Sequence, residues 1–574
     1  MNGMGYLRAA GLAAAVVVAS PVVAQEADGY WQGVLDTGAA KLTIGVALER
    51  QTDGTLVGTL DSPDQNAFDI PLSEIDVSGG SLSFSIPVLG AGYVGEWDAA
   101  SSHWRGVFSQ AGMQFPLSLS AGQPPERPAK PAATQLPKDW AIPSDADIRK
   151  VMADRLAERP GAEMIVGIVE GGKSHSVAAK GARVGADTLF EIGSMTKVFT
   201  SLILAEMVLE GKVSLDDPVV QYLPEGATMP QRSGQQITLR NLSQQDSGLP
   251  RLPDNLTPKD SGNPYADYTE RDLLAFLAEY ELPREIGSQY EYSNLGIGLL
   301  GYVLARVEGT DFETLLRKRV LDPLGMKDTA IALSPDQQAR FIGGFDQYMR
   351  PTSAWDMSVL AGAGGMRSTV TDLNRFLKAA LDPQSPIAPA MRLMVSETRQ
   401  APGYLAGLGW MIAPAPQGAT LDHGGGTGGF RSYMALQPDA DRAVVVLTNS
   451  AVEPSATDIA QHILIGRPLA DAKAVPQAPA EVDRVETELS QDQLDRVTGT
   501  YRFNPNLFLV VTREKNQVHA MITGQGSLPI FPRSPLEFFW RAVNAEIVFT
   551  EENGVITGAT FTQDGVSTPL PKVN

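Results

Sequence analysis

Apolar and polar side chains alternate strictly along two segments, one near each end of the chain. In the first segment the apolar positions are Leu42, Ile44, Val46 and Leu48, and then Leu82, Phe84, Ile86 and Val88. In the second, the stretches LFLVVTRE and AEIVFTEENGVITGATF have the same texture. A period of two is typical of half-buried strands, and Asp53-Gly54 and Asn553-Gly554 favour hairpin turns. Both segments are therefore predicted to form antiparallel sheets.

The two β segments also end in the same pattern, F-[ST]-Q-x-G-x-x-x-P-L. It begins at Phe108 in the first segment and at Phe561 in the second. We interpret the two segments as related domains, residues 25–121 and 486–574, each a small antiparallel β-barrel of lipocalin-like shape.

The central segment, residues 143–468, has a different pattern. A helix, DADIRKVMADRLAE, precedes two strands, EMIVGIVEG and SHSVAAKG, and three more strands come near the end, LAGLGWMIAP, FRSYMALQPD and DRAVVVLTN. The roughly two hundred residues between them are mainly helical by their periodicity. Hairpin-length connections predict an α+β domain with an antiparallel five-stranded sheet flanked by helices and a mainly helical lobe. A cleft between sheet and lobe is the expected functional site.

Two stretches rich in proline and alanine separate these three parts. GQPPERPAKPAATQLPKD begins at residue 122 and LADAKAVPQAPAEVD at residue 469. Neither has hydrophobic periodicity, so we interpret residues 122–142 and 469–485 as extended linkers.

Residues 1–24 have the pattern of a secretory signal peptide. Arg8 precedes an apolar run from Leu12 to Ala19, and small residues lead up to Ala24. The run is too short to span a bilayer, so cleavage after Ala24 is predicted. No later stretch is long and apolar enough for a transmembrane helix. The expected location is the bacterial periplasm or the medium.

Composition narrows the classes of function. The net charge of −20, with scattered lysine and arginine, disfavours nucleic acid and anionic lipid as partners. Cysteine is absent, there is no G-x-S-x-G elbow, and the five histidines lack paired ligand spacing. No metal or other cofactor is therefore expected. A small molecule or a peptide is the expected substrate, and the oligomeric state stays open.

The stretch FEIGSMTKVFTSLILAEMVLEG, residues 190–211, places a serine and a lysine one helical turn apart at the start of an apolar helix. Such a helix is expected to be buried, which desolvates Lys197. Desolvation disfavours the ammonium and lowers the pKa of the amine, so the nitrogen can accept a proton. Ser194 lies on the same face, and its backbone N–H has no intrahelical partner. The stretch thus offers a nucleophile, its base and half of an oxyanion hole.

Taken alone, S-x-x-K is a weak signal, because an N-cap serine followed by a surface lysine has the same spacing. Two further elements strengthen it. Tyr292-Ser293-Asn294 is predicted at a loop tip before a helix and carries a phenol and an amide. His423-Gly424-Gly425 precedes the late strands, where glycines let a substrate backbone lie against a strand edge.

The stretches FEIGSMTK, YEYSN and HGGGTGGF, in this order, resemble the three motifs of the serine β-lactamase and penicillin-binding-protein superfamily. The resemblance is to its class C β-lactamase, D-Ala-D-Ala carboxypeptidase and esterase branch. Stretches such as GKVSLDDPVVQYLP and LDPLGMKDT extend it over nearly all of residues 145–450. The outer β domains resemble lipocalin-like additions of some members.

This resemblance implies a serine hydrolase that works through an acyl-enzyme. Ser194 would attack a carbonyl and become acylated, while Lys197 and Tyr292 share the proton transfers. Which of the two is the general base stays open.

The resemblance also implies the substrate-binding residues. Asn294 would hydrogen-bond the lysine and the substrate amide, and the N–H groups of the nucleophile and of Gly426, next to Gly425, would form the oxyanion hole. His423 stands where many relatives carry a lysine. Arg431 is a candidate for binding a substrate carboxylate, although a surface or ion-paired arginine has the same sequence signal.

One loop departs from the family pattern. Gln245-Asp246 replace a His-Thr pair that many relatives carry before Ser-Gly, which puts a role for this loop in doubt.

The expected activity is hydrolysis of ester or peptide-like amide substrates. Since histidine is mostly neutral at pH 7, we expect such substrates to be preferred over penicillins and cephalosporins, whose carboxylate a lysine would attract. Three alternatives stay open: a β-lactamase or D,D-peptidase proper, a sensor that is acylated once without turnover, and ligand binding by the β domains on a central scaffold.

Overall fold

The computed structural model describes residues 27–36, 41–51, 55–65, 67–86, 91–110, 113–125, 136–179, 181–476, 486–504, 507–523, 527–541, 543, 545–552, 554–563 and 566–573. The predicted signal peptide, the Asp53-Gly54 turn, Asn553, residues 126–135 of the first linker and residues 477–485 of the second lie outside these residues. The chain divides into two compact units after residue 133.

The described residues of the first unit form nine strands. They are β1 (Gly29–Asp36), β2 (Lys41–Arg50), β3 (Leu56–Ser62), β4 (Ala67–Pro71), β5 (Ser73–Ser78), β6 (Ser81–Ile86), β7 (Ala91–Asp98), β8 (His103–Gln110) and β9 (Met113–Ala121). The order β4-β3-β2-β1-β9-β8-β7-β6-β5 makes a nearly closed antiparallel barrel. The alternating apolar residues predicted from the sequence face its core, apart from Val88, which lies outside the described residues. Edge-to-face contacts of Trp31, Trp97 and Trp104 lie beside them.

The second unit begins with the central α+β domain. Its strands are β10 (Met164–Glu170), β11 (Lys173–Ala178), β12 (Phe190–Glu191), β13 (Gln231–Arg232), β14 (Gln235–Gln236), β15 (Gly344–Phe345), β16 (Pro351–Thr352), β17 (Arg367–Ser368), β18 (Arg399–Ala401), β19 (Tyr404–Ala406), β20 (Met411–Ala413), β21 (Thr420–Gly426), β22 (Arg431–Gln437) and β23 (Arg442–Thr448). The main sheet is antiparallel in the order β11-β10-β23-β22-β21-β20-β19-β18, and the remaining strands form three short pairs.

The predicted fold class is confirmed, but the main sheet has eight strands rather than five. Strand β21 was not predicted as a strand because its three glycines have low β propensity. The single strand expected over LAGLGWMIAP is divided into β19 and β20 by a turn. The short strand β18 carried no alternating pattern.

Helices cover both faces of this sheet. They are α1 (Asp145–Leu156), α2 (Thr196–Leu209), α3 (Leu239–Ser243), α4 (Glu270–Glu279), α5 (Asn294–Glu308), α6 (Phe312–Leu316), α7 (Asp322–Leu324), α8 (Pro335–Arg340), α9 (Val370–Leu381), α10 (Ala388–Ser396) and α11 (Ala456–Ile465). Helices α1 and α11 pack with Val166 and Ile168 on one face, whereas α2 and α9 pack with Ile165 and Val169 on the other. Strand β10 is therefore apolar throughout, as a strand covered on both faces must be.

The second unit ends in another antiparallel barrel, preceded by α12 (Gln491–Arg496). Its strands are β24 (Gly499–Asn504), β25 (Leu507–Glu514), β26 (Gln517–Ile522), β27 (Leu528–Ser534), β28 (Glu537–Trp540), β29 (Ala545–Glu552), β30 (Val555–Gln563) and β31 (Val566–Pro571), in chain order. The N–H of Val573 donates to the carbonyl of Thr500, which brings the last strand back to the first.

The shared closing pattern occupies the same place in both barrels. It spans the last hairpin of each sheet, β8–β9 and β30–β31, and its final leucines, Leu117 and Leu570, are buried. In the described part of the chain, every helix is too short or too polar to cross a membrane.

Candidate active site

Ser194 lies in a 3₁₀ turn, Gly193–Met195, that leads directly into α2. The turn begins at Gly193, whose φ of 51° lies in the left-handed region that favours glycine. A Cβ atom at this residue would lie 2.7 Å from the backbone nitrogen of Gly426. The backbone of the serine turn therefore packs directly against the end of β21.

This close approach brings together the two predicted oxyanion donors. Ser194 is in the first turn of its helix, so its N–H has no intrahelical partner. A Cβ atom on Gly425 would overlap the carbonyl oxygen of Ile192, so the approach requires glycine. The N–H groups of Ser194 and Gly426 are thus placed on neighbouring backbones, an arrangement suited to a carbonyl oxygen that gains negative charge.

Lys197 is fully buried, as its apolar helix predicted. Its Nζ lies 2.9 Å from Oγ of Ser194, 2.8 Å from Oδ1 of Asn294 and 2.6 Å from the carbonyl oxygen of Ala363. Burial, and next the positive charge of Arg251, hold the pKa of the amine well below its usual value. A neutral amine donates its two hydrogens to the amide and the carbonyl, so its lone pair faces the serine hydroxyl.

Tyr292 lies beside the same amine, with its ring centroid 4.9 Å from Nζ of Lys197. Burial raises the pKa of the phenol to about 12, and a hydrogen bond with Ser194 opposes this rise in part. The phenol therefore stays protonated at neutral pH. The two shifts together favour Lys197 over Tyr292 as the group that accepts the serine proton.

The loop whose role the sequence left in doubt holds Tyr292 in place. Oε1 of Gln245 accepts a hydrogen bond of 2.6 Å from the N–H of Ser293, and the Gln245 carbonyl accepts one of 2.7 Å from Glu291. The neighbouring Asp246 forms an ion pair of 2.5 Å with Arg399. Gln245 thus fixes the backbone on both sides of the tyrosine, while Asp246 ties the loop to Arg399.

We expect Gln245→Met to lower kcat about tenfold with little change in KM, because the buried N–H of Ser293 loses its acceptor and Tyr292 shifts. Gln245→Glu keeps an oxygen acceptor and should restore most of the rate. Steady-state kinetics on a neutral ester, with melting curves for each variant, measure this. An equal loss in both variants would show that the acceptor is not what matters.

His423 lies in β21 and is buried. Its Nδ1 is 2.7 Å from the carbonyl oxygen of Gly424, which can only accept, so Nδ1 carries the proton and Nε2 is an acceptor. Burial, the largest cause, lowers the pKa of the imidazole to about 4. The side chain is therefore neutral at pH 7, as the substrate argument from the sequence assumed.

Arg431 is ion-paired, the alternative to carboxylate binding that the sequence left open. Its Nε lies 2.9 Å from Oε1 of Glu453, and its Nη1 donates to the carbonyls of Thr427 and Phe430 at 2.9 Å each. The guanidinium therefore links the β21–β22 hairpin to a carboxylate. Its Nε and Nη1 therefore bond within the protein.

Several residues of the site were not found from the sequence. The hydroxyl of Tyr265 lies 3.4 Å from Nδ2 of Asn294, and its ring is 5.3 Å from that of Trp355. Neither aromatic residue lies in a recognisable motif. Ala363 contributes a backbone carbonyl, and a sequence pattern of side chains does not predict such a contact. Arg251 follows the stretch Ser-Gly-Leu-Pro and lies in no recognisable motif.

A groove of about 670 Å³ continues from the end of β21. Trp355, Thr427 and Gly428 line it on the central domain, and Val543 and Gln563 line it from the C-terminal barrel. A groove of this volume has room for several substrate residues. Among the described residues, no three histidine, cysteine or acidic side chains are grouped so as to hold a metal ion.

Comparison with known proteins agrees with this geometry. A family model described as Beta-lactamase matches residues 148–466, which is more than half of the chain. The D-alanyl-D-alanine-carboxypeptidase/endopeptidase AmpH of Escherichia coli (strain K12) is 33% identical over 283 residues, covering 46% of this chain and 72% of that protein. A β-lactamase of Pseudomonas fluorescens is 28% identical over 347 residues, covering 53% and 94%. A β-lactamase of E. coli (strain K12) is 28% identical over 324 residues, covering 50% and 82%.

The matched residues include the serine turn, the tyrosine loop and strand β21, the three elements that meet at Lys197. The chain belongs to the beta-lactamase family and is a serine hydrolase.

Proposed function

We propose that this protein is an exported serine hydrolase that forms an acyl-enzyme at Ser194 and acts on ester or peptide-like amide substrates. The observation that carries the proposal is the 2.9 Å distance between Oγ of Ser194 and the buried Nζ of Lys197. A serine hydroxyl is a weak nucleophile until a base accepts its proton. Here the base lies within hydrogen-bond reach.

Acylation begins when the neutral Lys197 accepts the hydroxyl proton as Oγ attacks the carbonyl carbon. The carbonyl oxygen becomes negative and receives hydrogen bonds from the N–H groups of Ser194 and Gly426. The phenol of Tyr292 donates a proton to the leaving oxygen or nitrogen, and Lys197 supplies the phenol in turn. Asn294 holds the amine in line with the serine.

Deacylation uses the same groups in the opposite direction. A water molecule attacks the ester carbonyl at Ser194, Tyr292 and Lys197 take up its proton, and the proton returns to Oγ as the acid leaves. The same two N–H groups stabilise the second tetrahedral intermediate.

The substrate class follows from the relatives and the groove. One relative bears the name of a carboxypeptidase and endopeptidase, which supports peptide-like amides. The groove of about 670 Å³ also suits a substrate longer than a simple acyl group. The Arg8-containing leader supports export to the periplasm or the medium, where such peptides are encountered.

A fluorophosphonate probe should label the mature protein at Ser194, because this serine has a base at 2.9 Å. Ser194→Ala should abolish labelling. Ser201→Ala, which changes a serine of α2 that is hydrogen-bonded to Ser243, should keep it. Peptide mapping by mass spectrometry identifies the labelled residue, and a label elsewhere would contradict the proposal.

Turnover separates the enzyme from the acylated sensor. We expect p-nitrophenyl butyrate to give a burst of product followed by a steady rate. Release of a single equivalent and no more would favour the sensor.

A further inference from the structure

Arg251 lies next to the catalytic tyrosine, just beyond the loop that fixes it. Its guanidinium carbon is 5.1 Å from the centroid of the Tyr292 ring, and the residue is exposed. Its carbonyl oxygen accepts hydrogen bonds from the N–H groups of Asn294 at 3.0 Å and Leu295 at 3.3 Å. The backbone of Arg251 is therefore fixed to the start of α5, while its charged end reaches the site from the solvent side.

Other arginines around this site are already neutralised. Arg431 is paired with Glu453, Arg399 with Asp246, and Arg284 with Glu291. Within the described ranges, Arg251 has no carboxylate at ion-pair distance. In a chain of net charge −20, a cation without a carboxylate beside a reactive serine is available to a ligand.

The other two basic groups of the site are buried, and burial disfavours their charged forms. The pKa of Lys197 is held well below its usual value by burial and by Arg251, and burial lowers that of His423 to about 4. Arg251 is therefore the charged group that an anionic substrate meets at this site.

We propose that Arg251 binds a carboxylate of the substrate, and that the enzyme therefore selects acyl esters or peptides that carry a carboxylate near the scissile bond. A guanidinium can donate two parallel hydrogen bonds to a carboxylate, and among the described residues the Arg251 guanidinium donates none. The inference rests on the proposed function. Under this proposal Arg251, and not Arg431, binds the carboxylate. The guanidinium then supplies the positive charge that a lysine at the position of His423 would supply in relatives.

Two matched substrate pairs test this role. In one, the charge is on the acyl side: the p-nitrophenyl half-ester of adipic acid against p-nitrophenyl hexanoate. In the other it is on the leaving group: a peptide ending in D-Ala-D-Ala against its C-terminal amide. The measured quantity is the ratio of kcat/KM for the anionic substrate to kcat/KM for the neutral one.

We expect Arg251→Gln to lower this ratio roughly tenfold for at least one pair. Arg251→Lys should lower it less, since lysine keeps the positive charge but cannot donate two parallel hydrogen bonds. Arg431→Gln, the matched control, should leave the ratio within about twofold. Added NaCl should lower the ratio in the wild type and not in Arg251→Gln.

Unchanged ratios for both pairs in Arg251→Gln would overturn the inference alone, as would an equal fall in Arg431→Gln. A wild-type protein that turns over none of the four substrates and takes no fluorophosphonate label would refute the proposed function itself, and the inference with it. The two failures are therefore distinguishable.

Discussion

Replacing Lys197 with methionine should lower kcat/KM for a neutral ester by about 10³. The amine is the base nearest to Oγ of Ser194, at 2.9 Å, and methionine fills its buried position without offering a lone pair of comparable basicity. The fold should survive because the neighbours on α2 are apolar. Steady-state kinetics and circular dichroism measure rate and fold separately.

The control is Lys378→Met, which changes an exposed lysine on α9. It should keep the wild-type rate. A wild-type rate in the Lys197 variant, with Ser194 still labelled, would mean that another group accepts the serine proton.

Replacing Gly425 with alanine should lower kcat/KM by about 10² and destabilise the protein by about 1–3 kcal/mol. The added Cβ would overlap the carbonyl oxygen of Ile192, which also accepts a hydrogen bond of 2.8 Å from Oγ of Ser432. Strand β21 must then move away from the serine turn. The N–H of Gly426 moves with it and no longer faces the oxyanion.

Gly424→Ala is the matched control on the same strand. The atom nearest to its Cβ would be a ring carbon of Tyr433, at 3.3 Å, which a small rotation relieves. We expect its kcat/KM to stay within about fivefold of the wild type. Equal losses at both glycines would show that β21 is sensitive to any side chain, and not that the two backbones must touch.

The helix pattern predicted the environment of Lys197 because that environment is largely local. The apolar residues around it on α2 require burial, and burial alone fixes the direction of its pKa shift. The partners of the amine are not local. Asn294 is 97 residues away and Ala363 is 166 residues away, so only the packing of α5 and of the 3₁₀ segment Ser358–Ala363 on α2 brings them together.

The barrels were predictable for the same reason, since alternation along one strand already distinguishes its core face. Leu42 and Ile44, predicted from this alternation, are buried in the first barrel. Strand β21 was not predictable in this way. Gly425 is required for another backbone to approach, and that requirement becomes visible only when the residue is seen against Ile192. The role proposed for Arg251 was not predictable from the sequence either, because it depends on the contact with the ring of Tyr292 and not on neighbouring residues in the chain.

The central claim is that a neutral Lys197 takes the proton of Ser194. Its most direct test is the second-order rate constant for acylation of Ser194 by a neutral ester, measured by stopped flow from about pH 5 to about pH 11. Protonated lysine cannot act as a base, so the rate rises with pH through the pKa of the amine and then levels off. Because burial holds that pKa well below the usual value near ~10.4, we predict a plateau that is reached well before this pH. If the phenolate of Tyr292, with a pKa of about 12, were the base, the rate would rise about tenfold per pH unit throughout the alkaline range, and that result would contradict the account.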